Sequence, residues 1–330
     1  MTDAEVGLLD VAVGVLTRPD GRFLLTQRPS GKPMAGYWEF PGGKLEGEES
    51  VYAALIREFR EELGVEVTEA VPWVQRIFSY PHAKVRLHYW RILAWQGVAH
   101  GREGQILSWE TVGHADAKPW LPGALPLKRW LLLPNWYAIS NAADEGRAQF
   151  LTRLDAALAR QQFSFLQLRE KSLESGAFER LFREVQARTR EYGIQLLINS
   201  THPERYWHMA DGVHCTTESL LTLKDRPEVP WCAASCHDEM SLMLAGQIGL
   251  DFAVLGPVKQ TPSHPDSAPL GWERFCDIIR NGTVPVYALG GLERADLAEA
   301  VRRGAQGVAA IRASWVVEAS HRAGGDPGAD

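Results

Sequence analysis

The chain has 330 residues, more than one ordinary domain requires, and its 45% hydrophobic composition is that of globular protein, so two domains are expected. The formal net charge of -6 is spread along the chain without a Lys/Arg block, which argues against polymeric nucleic acid and for a small ligand. Asp3, Glu5 and Asp10 stand where a secretory signal is basic, and no apolar run is long enough to span a bilayer, so a cytoplasmic protein with no membrane partner is expected.

Three strand-like runs, DVAVGVL (10–16), RFLLTQR (22–28) and RLHYWRILAW (86–95), surround one strong helical segment. Ser50 is a natural N-cap and Gly64 a natural C′ residue, which predicts a helix over Val51–Leu63 with Val51, Leu55, Ile56, Phe59 and Leu63 as its apolar stripe. Glu58 and Glu62 are i, i+4 neighbours and Glu61 lies one step around, so three carboxylates share the edge of that stripe near the helix C-terminus. Like charges at that spacing repel, and the helix dipole disfavours them there. A solvated acidic face is the alternative, but a hard divalent cation resolves both conflicts, and Mg²⁺ is commonly shared between carboxylates and substrate phosphates.

Beyond the helix, AKPWLPGALPLKRWLLLPN (117–135) reads as Pro-rich turns, and a domain boundary is expected near Pro134, giving domains of 1–133 and 134–320. From there eight short apolar runs, NWYAIS, FSFLQLRE, IQLLINS, DGVHCT, WCAASCH, DFAVLGPV, PVYALGG and GVAAIRA, alternate with amphipathic segments. That predicts an α/β chain of two domains, the second a compact (β/α)8 TIM barrel. Residues 321–330 lack apolar anchors and are expected to be a disordered tail. Cys215, Cys232, Cys236 and Cys276 have no zinc spacing and are expected to be reduced.

Gly43, Glu49, Arg57, Glu58, Glu61, Glu62 and Gly64 fill the pattern G-x5-E-x7-R-E-x-x-E-E-x-G, with Val65 as the following hydrophobic residue. This resembles the Nudix box, with Phe59 where that family usually has an aliphatic residue. The likeness extends over about residues 10–131 and is closest to the MutT type, through LLTQRPSGKPMAGYWEFPGGK (24–44) and GREGQ (101–105). It implies an α/β/α sandwich with a mixed sheet and Mg²⁺-dependent hydrolysis of a nucleoside triphosphate, with Mn²⁺ as a substitute. It also implies metal ligation by Glu58, Glu61 and Glu62 with the Gly42 carbonyl and Glu103, while Glu49 and Arg57 orient these carboxylates. Arg28 would contact phosphate, and Glu39, Phe40, Pro41 and Gly42 would line the nucleoside pocket. Glu58 or Glu103 would act as general base. The MutT type acts on 8-oxo-dGTP, but its purine-reading Asn is matched here by Ala124 in LPGALP (121–126).

The ends of the predicted barrel strands, QLREK, INS, VHCTTES, SCH, GPVKQTPSHPD, ALGGL and AIRASW, resemble thiamine phosphate synthase and the TenI-type thiazole tautomerase over about residues 135–318. The resemblance makes Arg169, Lys171, Asn199, His237, Gly290 and Gly291 the candidate residues for a thiazole or thiamine phosphate ligand. Two acidic positions of the synthase are Ser200 and Ser219 here, and its phosphate loop is altered at Ser263 and His264. Synthase chemistry is therefore not expected. A barrel that only binds a phosphorylated ligand, a tautomerase using His237, and a Nudix domain acting on thiamine-pathway diphosphates are the readings left open.

Overall fold

The computed structural model describes residues 7–261 and 268–316. Ser263, His264 and the tail 321–330 lie outside the described residues.

The N-terminal domain carries two sheets. β1 (Leu8–Leu16), β4 (Gly42–Lys44), β5 (Glu66–Tyr80) and β6 (Ala83–Gln96) form a mixed sheet ordered β4-β1-β6-β5, with β1 parallel to β6 and the other pairs antiparallel. β2 (Phe23–Gln27), β3 (Trp38–Glu39) and β7 (Ile106–Glu110) form a small antiparallel sheet.

The helix expected over Val51–Leu63 spans those residues and is labelled α1. Ser50 Oγ accepts from the Ala53 amide, which stabilises the first turn by about 1 kcal/mol, and Gly64 closes the helix in the left-handed region at φ 65°. Ala54, Leu55, Phe59 and Leu63 are buried against β1, while Val51 and Ile56 are only half-buried. A Cβ on Gly14 of β1 would meet the Phe59 ring at 2.3 Å, so the absence of a side chain at Gly14 is what admits an aromatic residue here. The other face of the mixed sheet is covered by the 117–133 segment, which contains the one-turn helix α2 (Leu127–Trp130), and by the end of the barrel.

All eight barrel strands form where the apolar runs predict them: β8 (Trp136–Ile139), β9 (Phe165–Leu168), β10 (Gln195–Asn199), β11 (Gly212–Cys215), β12 (Trp231–Cys236), β13 (Phe252–Leu255), β14 (Val286–Leu289) and β15 (Gly307–Ala310). They close as a parallel barrel in sequential order. Their outward side chains pack beneath the surrounding helices, and Tyr137, Phe165, Trp231, Phe252 and Tyr287 fill the lumen. The four cysteines are free, and Cys215, Cys232 and Cys236 are buried.

The lumen and the N-terminal domain share one apolar core. Contact is made at the N-terminal ends of the barrel strands. Trp73 Nε1 donates to Gln306 Oε1 at 3.0 Å, Gln306 Nε2 donates to the Leu133 carbonyl at 2.9 Å, and the Gln75 amide donates to the Gly282 carbonyl at 2.9 Å. Arg91 donates to the Ala305 and Gln306 carbonyls. The strand C-terminal ends, where active sites of this fold lie, face away from the junction.

Candidate active sites

Arg57 organises the acidic helix. Its guanidinium bonds Glu49 at 2.7 and 3.3 Å, Glu58 at 2.9 Å, Glu61 at 3.2 Å and the Lys44 carbonyl at 3.1 Å. Hydrogen bonding from Arg57 holds Glu49 below the usual carboxylate range. Glu58 is raised instead, because burial outweighs the same arginine. Its carboxylate lies against Gly43 so closely that a Cβ there would meet Oε1 at 2.0 Å; the glycine is a cradle for this side chain.

Glu62 has no such partner. Burial, then the neighbouring Glu58 charge, pushes it up to about 7, with Glu39 and Glu103 adding to the repulsion and Lys32 opposing it. Lys32 Nζ lies 3.7 Å from Glu103, which is half exposed. Among the described residues no three His, Cys, Asp or Glu side chains are drawn together closely enough to hold a metal ion as they stand. Arg57 holds Glu58 and Glu61, while Glu62 is repelled by Glu58, Glu39 and Glu103. The donor set nevertheless fits a hard divalent cation. It is all oxygen, carries excess negative charge and includes a carboxyl whose ionised form lacks a partner.

Arg28 Nη1 reaches both oxygens of Glu39 at 2.7 Å, and its Nε donates to the Pro33 carbonyl at 2.8 Å. A phosphate would therefore compete with a carboxylate for Arg28. Burial raises Glu39 despite this pairing. Phe40 is 3% exposed and its ring packs between Phe23 and Trp120, with Pro41 also buried, so the turn's backbone, rather than the Phe40 ring, is what it offers a ligand.

Two tyrosines to which the sequence assigns no role border the LPGALP turn (121–126). The Tyr89 hydroxyl donates to the Gly123 carbonyl at 3.0 Å, and Tyr80 packs against Gly123, where a Cβ would meet the Tyr80 hydroxyl at 2.7 Å. Phe78 and Tyr80 share one half-buried face of β5, and Ala124 is 6% exposed beside them. The alternation in IFSYPHA was the available signal, but it specifies a face and not what lies opposite.

In the barrel, Arg169 and Lys171 follow β9, and Arg169 lines a ≈700 Å³ cleft with Asn141, Glu145 and Arg312 at the C-terminal mouth. Burial, then Arg169, lowers the Lys171 pKa. Asn199 is 2% exposed and uses Oδ1 to accept from the Thr201 amide and hydroxyl at 3.2 and 2.9 Å. His237 Nδ1 lies 2.8 Å from the Gly256 carbonyl, which assigns a proton to Nδ1. Gly290 and Gly291 follow β14 with φ of 105° and 63°, against Pro257 and Lys259. Ser200 and Ser219 hydroxyls lie 2.8 Å apart, and Thr216 bonds both. This closed neutral network occupies the place where the synthase resemblance requires carboxylates.

Fold and residue pattern together define a hydrolase domain for phosphoric anhydrides joined to a closed parallel barrel. The NUDIX domain model matches residues 8–131, and the thiamine monophosphate synthase model matches residues 136–314, over half of the chain. The chain belongs to the thiamine monophosphate synthase family through its barrel and to the Nudix family through its N-terminal domain. The CTP pyrophosphohydrolase of Escherichia coli is 40% identical over 36% of this chain and 88% of its own. The 8-oxo-dGTP diphosphatase of Haemophilus influenzae is 34% identical over 38% and 92%, and the thiamine-phosphate synthase of a Roseiflexus species 29% over 54% and 76%. The N-terminal domain is thus a Nudix pyrophosphohydrolase, of a family that works with divalent metal on small phosphorylated substrates. No helix among the described residues is long and apolar enough to cross a membrane.

Proposed function

We propose that the N-terminal domain is a Mg²⁺-dependent nucleoside triphosphate pyrophosphohydrolase that converts 8-oxo-dGTP or 8-oxo-GTP to the monophosphate and pyrophosphate. The observation that carries this is the Arg57-centred box, with Glu58 cradled by Gly43 and Glu62 without an ion pair among the described residues. Likeness to 8-oxo-dGTP diphosphatases supports the base assignment.

Glu58, Glu61 and Glu62, with Glu103 and the Gly42 carbonyl, would hold Mg²⁺, for which Mn²⁺ substitutes. A divalent ion held there would supply charge neutralisation for the polyphosphate and acidify a bound water. Arg57 and Glu49 fix the Glu58 carboxylate, whose oxygen takes the proton from the attacking water; Glu103 is the alternative base. Arg28, released from Glu39, turns to the substrate phosphates, and the Glu39–Gly42 turn borders the nucleoside.

Ala124 supports a second substrate reading, because a buried methyl cannot hydrogen-bond a purine edge and the 40% identical relative is named for CTP. Thiamine-pathway diphosphates are a third, suggested by the fused barrel. A kcat/KM panel of 8-oxo-dGTP, dGTP, CTP and thiamine diphosphates decides. A preference for 8-oxo-dGTP over dGTP of at least tenfold is expected, and a higher value for CTP or a thiamine diphosphate would replace the base assignment while leaving the chemistry.

For the barrel, the neutral Ser200–Thr216–Ser219 network supports binding of a thiazole or thiamine phosphate without synthase turnover. Arg169, Lys171, Gly290 and Gly291 would hold its phosphate. His237 Nε2, without a hydrogen bond among the described residues, favours thiazole tautomerisation as the accompanying activity. Proton exchange into a thiazole phosphate, lost in His237→Gln, tests it; no exchange leaves the barrel a binding module.

A further inference from the structure

A cleft of ≈590 Å³ lies at the domain junction, away from both candidate sites. Arg76 of β5 and Arg129 and Trp130 of α2 line one side, and Arg226 and Asp251, at the closed end of the barrel, line the other. Asp251 is 5% exposed and fully engaged. It takes hydrogen bonds from Arg129 Nε at 2.6 Å and from Arg226 Nη2 and the Cys232 amide at 2.8 Å.

One carboxylate cannot neutralise three guanidinium groups, and Glu228, the other acid of the lining, is exposed. Among the described residues, Arg129 Nη1, Arg226 Nε and the whole Arg76 guanidinium make no hydrogen bond; Arg76 lies 5.7 Å from the Trp130 ring. Arg129 joins the domains through Asp251, but the Arg76 guanidinium takes no part in holding the junction, which the Trp73–Gln306 and Arg91 contacts also secure. The Arg76 fork, with the remaining donors Arg129 Nη1 and Arg226 Nε, matches phosphate oxygens, and three guanidinium groups against Asp251 and the rim Glu228 leave the lining net positive. Pro126 and Pro230 supply an apolar edge for the body of such a ligand, with the buried Trp130 behind it. Pockets of this size between domains are a common setting for small ligands.

We propose that the junction cleft binds a small phosphate-bearing metabolite through Arg76, Arg129 and Arg226. The site is separate from the acidic helix and from the barrel mouth, so this chain carries a third phosphate site.

Full-length protein titrated with inorganic phosphate, with acetate as a monoanion control, tests the assignment by tryptophan fluorescence. Phosphate should give a saturable change that acetate does not, and the signal should shrink in Trp130→Phe, with Trp231 beneath Arg129 as the remaining reporter. Arg76→Gln, which breaks no ion pair, should weaken phosphate at least fivefold, and Glu228→Gln should tighten it about twofold by removing a rim charge. Binding should persist in Glu58→Gln and Lys171→Gln. Absence of saturable binding overturns the site. So does an unchanged affinity in Arg76→Gln with circular dichroism showing an intact fold, or loss of the signal in either of the last two variants.

Discussion

His214 lies in the barrel lumen, 1% exposed, with Nδ1 3.2 Å from the Tyr137 hydroxyl and Nε2 3.0 Å from the Ser235 hydroxyl. Burial, then the Arg169 and Lys171 charges above it, lowers its pKa to about 3. An unfolded histidine titrates at about 6.5. The unfolded chain therefore binds a proton that the native ring refuses, and stability falls as pH drops through 6.5. Between pH 8 and pH 5 the loss from this residue is about 2 kcal/mol. That figure hardly depends on the depth of the depression, because a native ring with any pKa below about 4 is neutral at pH 5. Native-state hydrogen exchange of the β11 and β12 amides, corrected for intrinsic rates, reads the barrel separately from the N-terminal domain. In His214→Gln the free-energy difference between the two pH values should shrink by about 2 kcal/mol, other titrating groups cancelling in the comparison. An unchanged difference would refute a neutral buried ring and, with it, the polar lumen beneath Arg169 and Lys171.

Gly43→Ala should displace the Glu58 carboxylate and weaken divalent metal binding by about 10-fold to 100-fold, read by metal titration of turnover; full affinity would sink the cradle. Gly14→Ala should cost about 1–3 kcal/mol against the Phe59 ring, with most of it recovered in Phe59→Leu, and a double-mutant cycle that is additive contradicts that pairing. Trp73→Phe strands the buried Gln306 acceptor and should lower the thermal stability of full-length protein by about 1–3 kcal/mol; no change would mean that the junction is not held there.

Local rules were enough for α1, because Ser50, Gly64 and the stripe are contiguous signals, and for the barrel, because eight apolar runs recur at short spacing. The acidic residues were legible as a set, but not their division around Arg57, which depends on side-chain reach. What brings Trp73 to Gln306, or Arg129 to Asp251, is closure of the barrel against another domain, and no periodicity in either segment encodes it. Phe59 reads as a departure until Gly14 is seen opposite, a compensation between strand and helix that spacing alone cannot pair. Tyr80 and Tyr89 were hidden similarly: each lies in an alternating strand, and the turn they clamp at Gly123 reads only as Pro-rich loop.

The most direct test is product analysis of 8-oxo-dGTP hydrolysis by the full-length protein, with Mg²⁺ and after chelation, beside Glu58→Gln. The account predicts 8-oxo-dGMP and pyrophosphate in equal amounts, no product after chelation, and a loss of at least 100-fold in the variant with its fold retained. Wild-type turnover by Glu58→Gln, or release of inorganic phosphate in place of pyrophosphate, would contradict it.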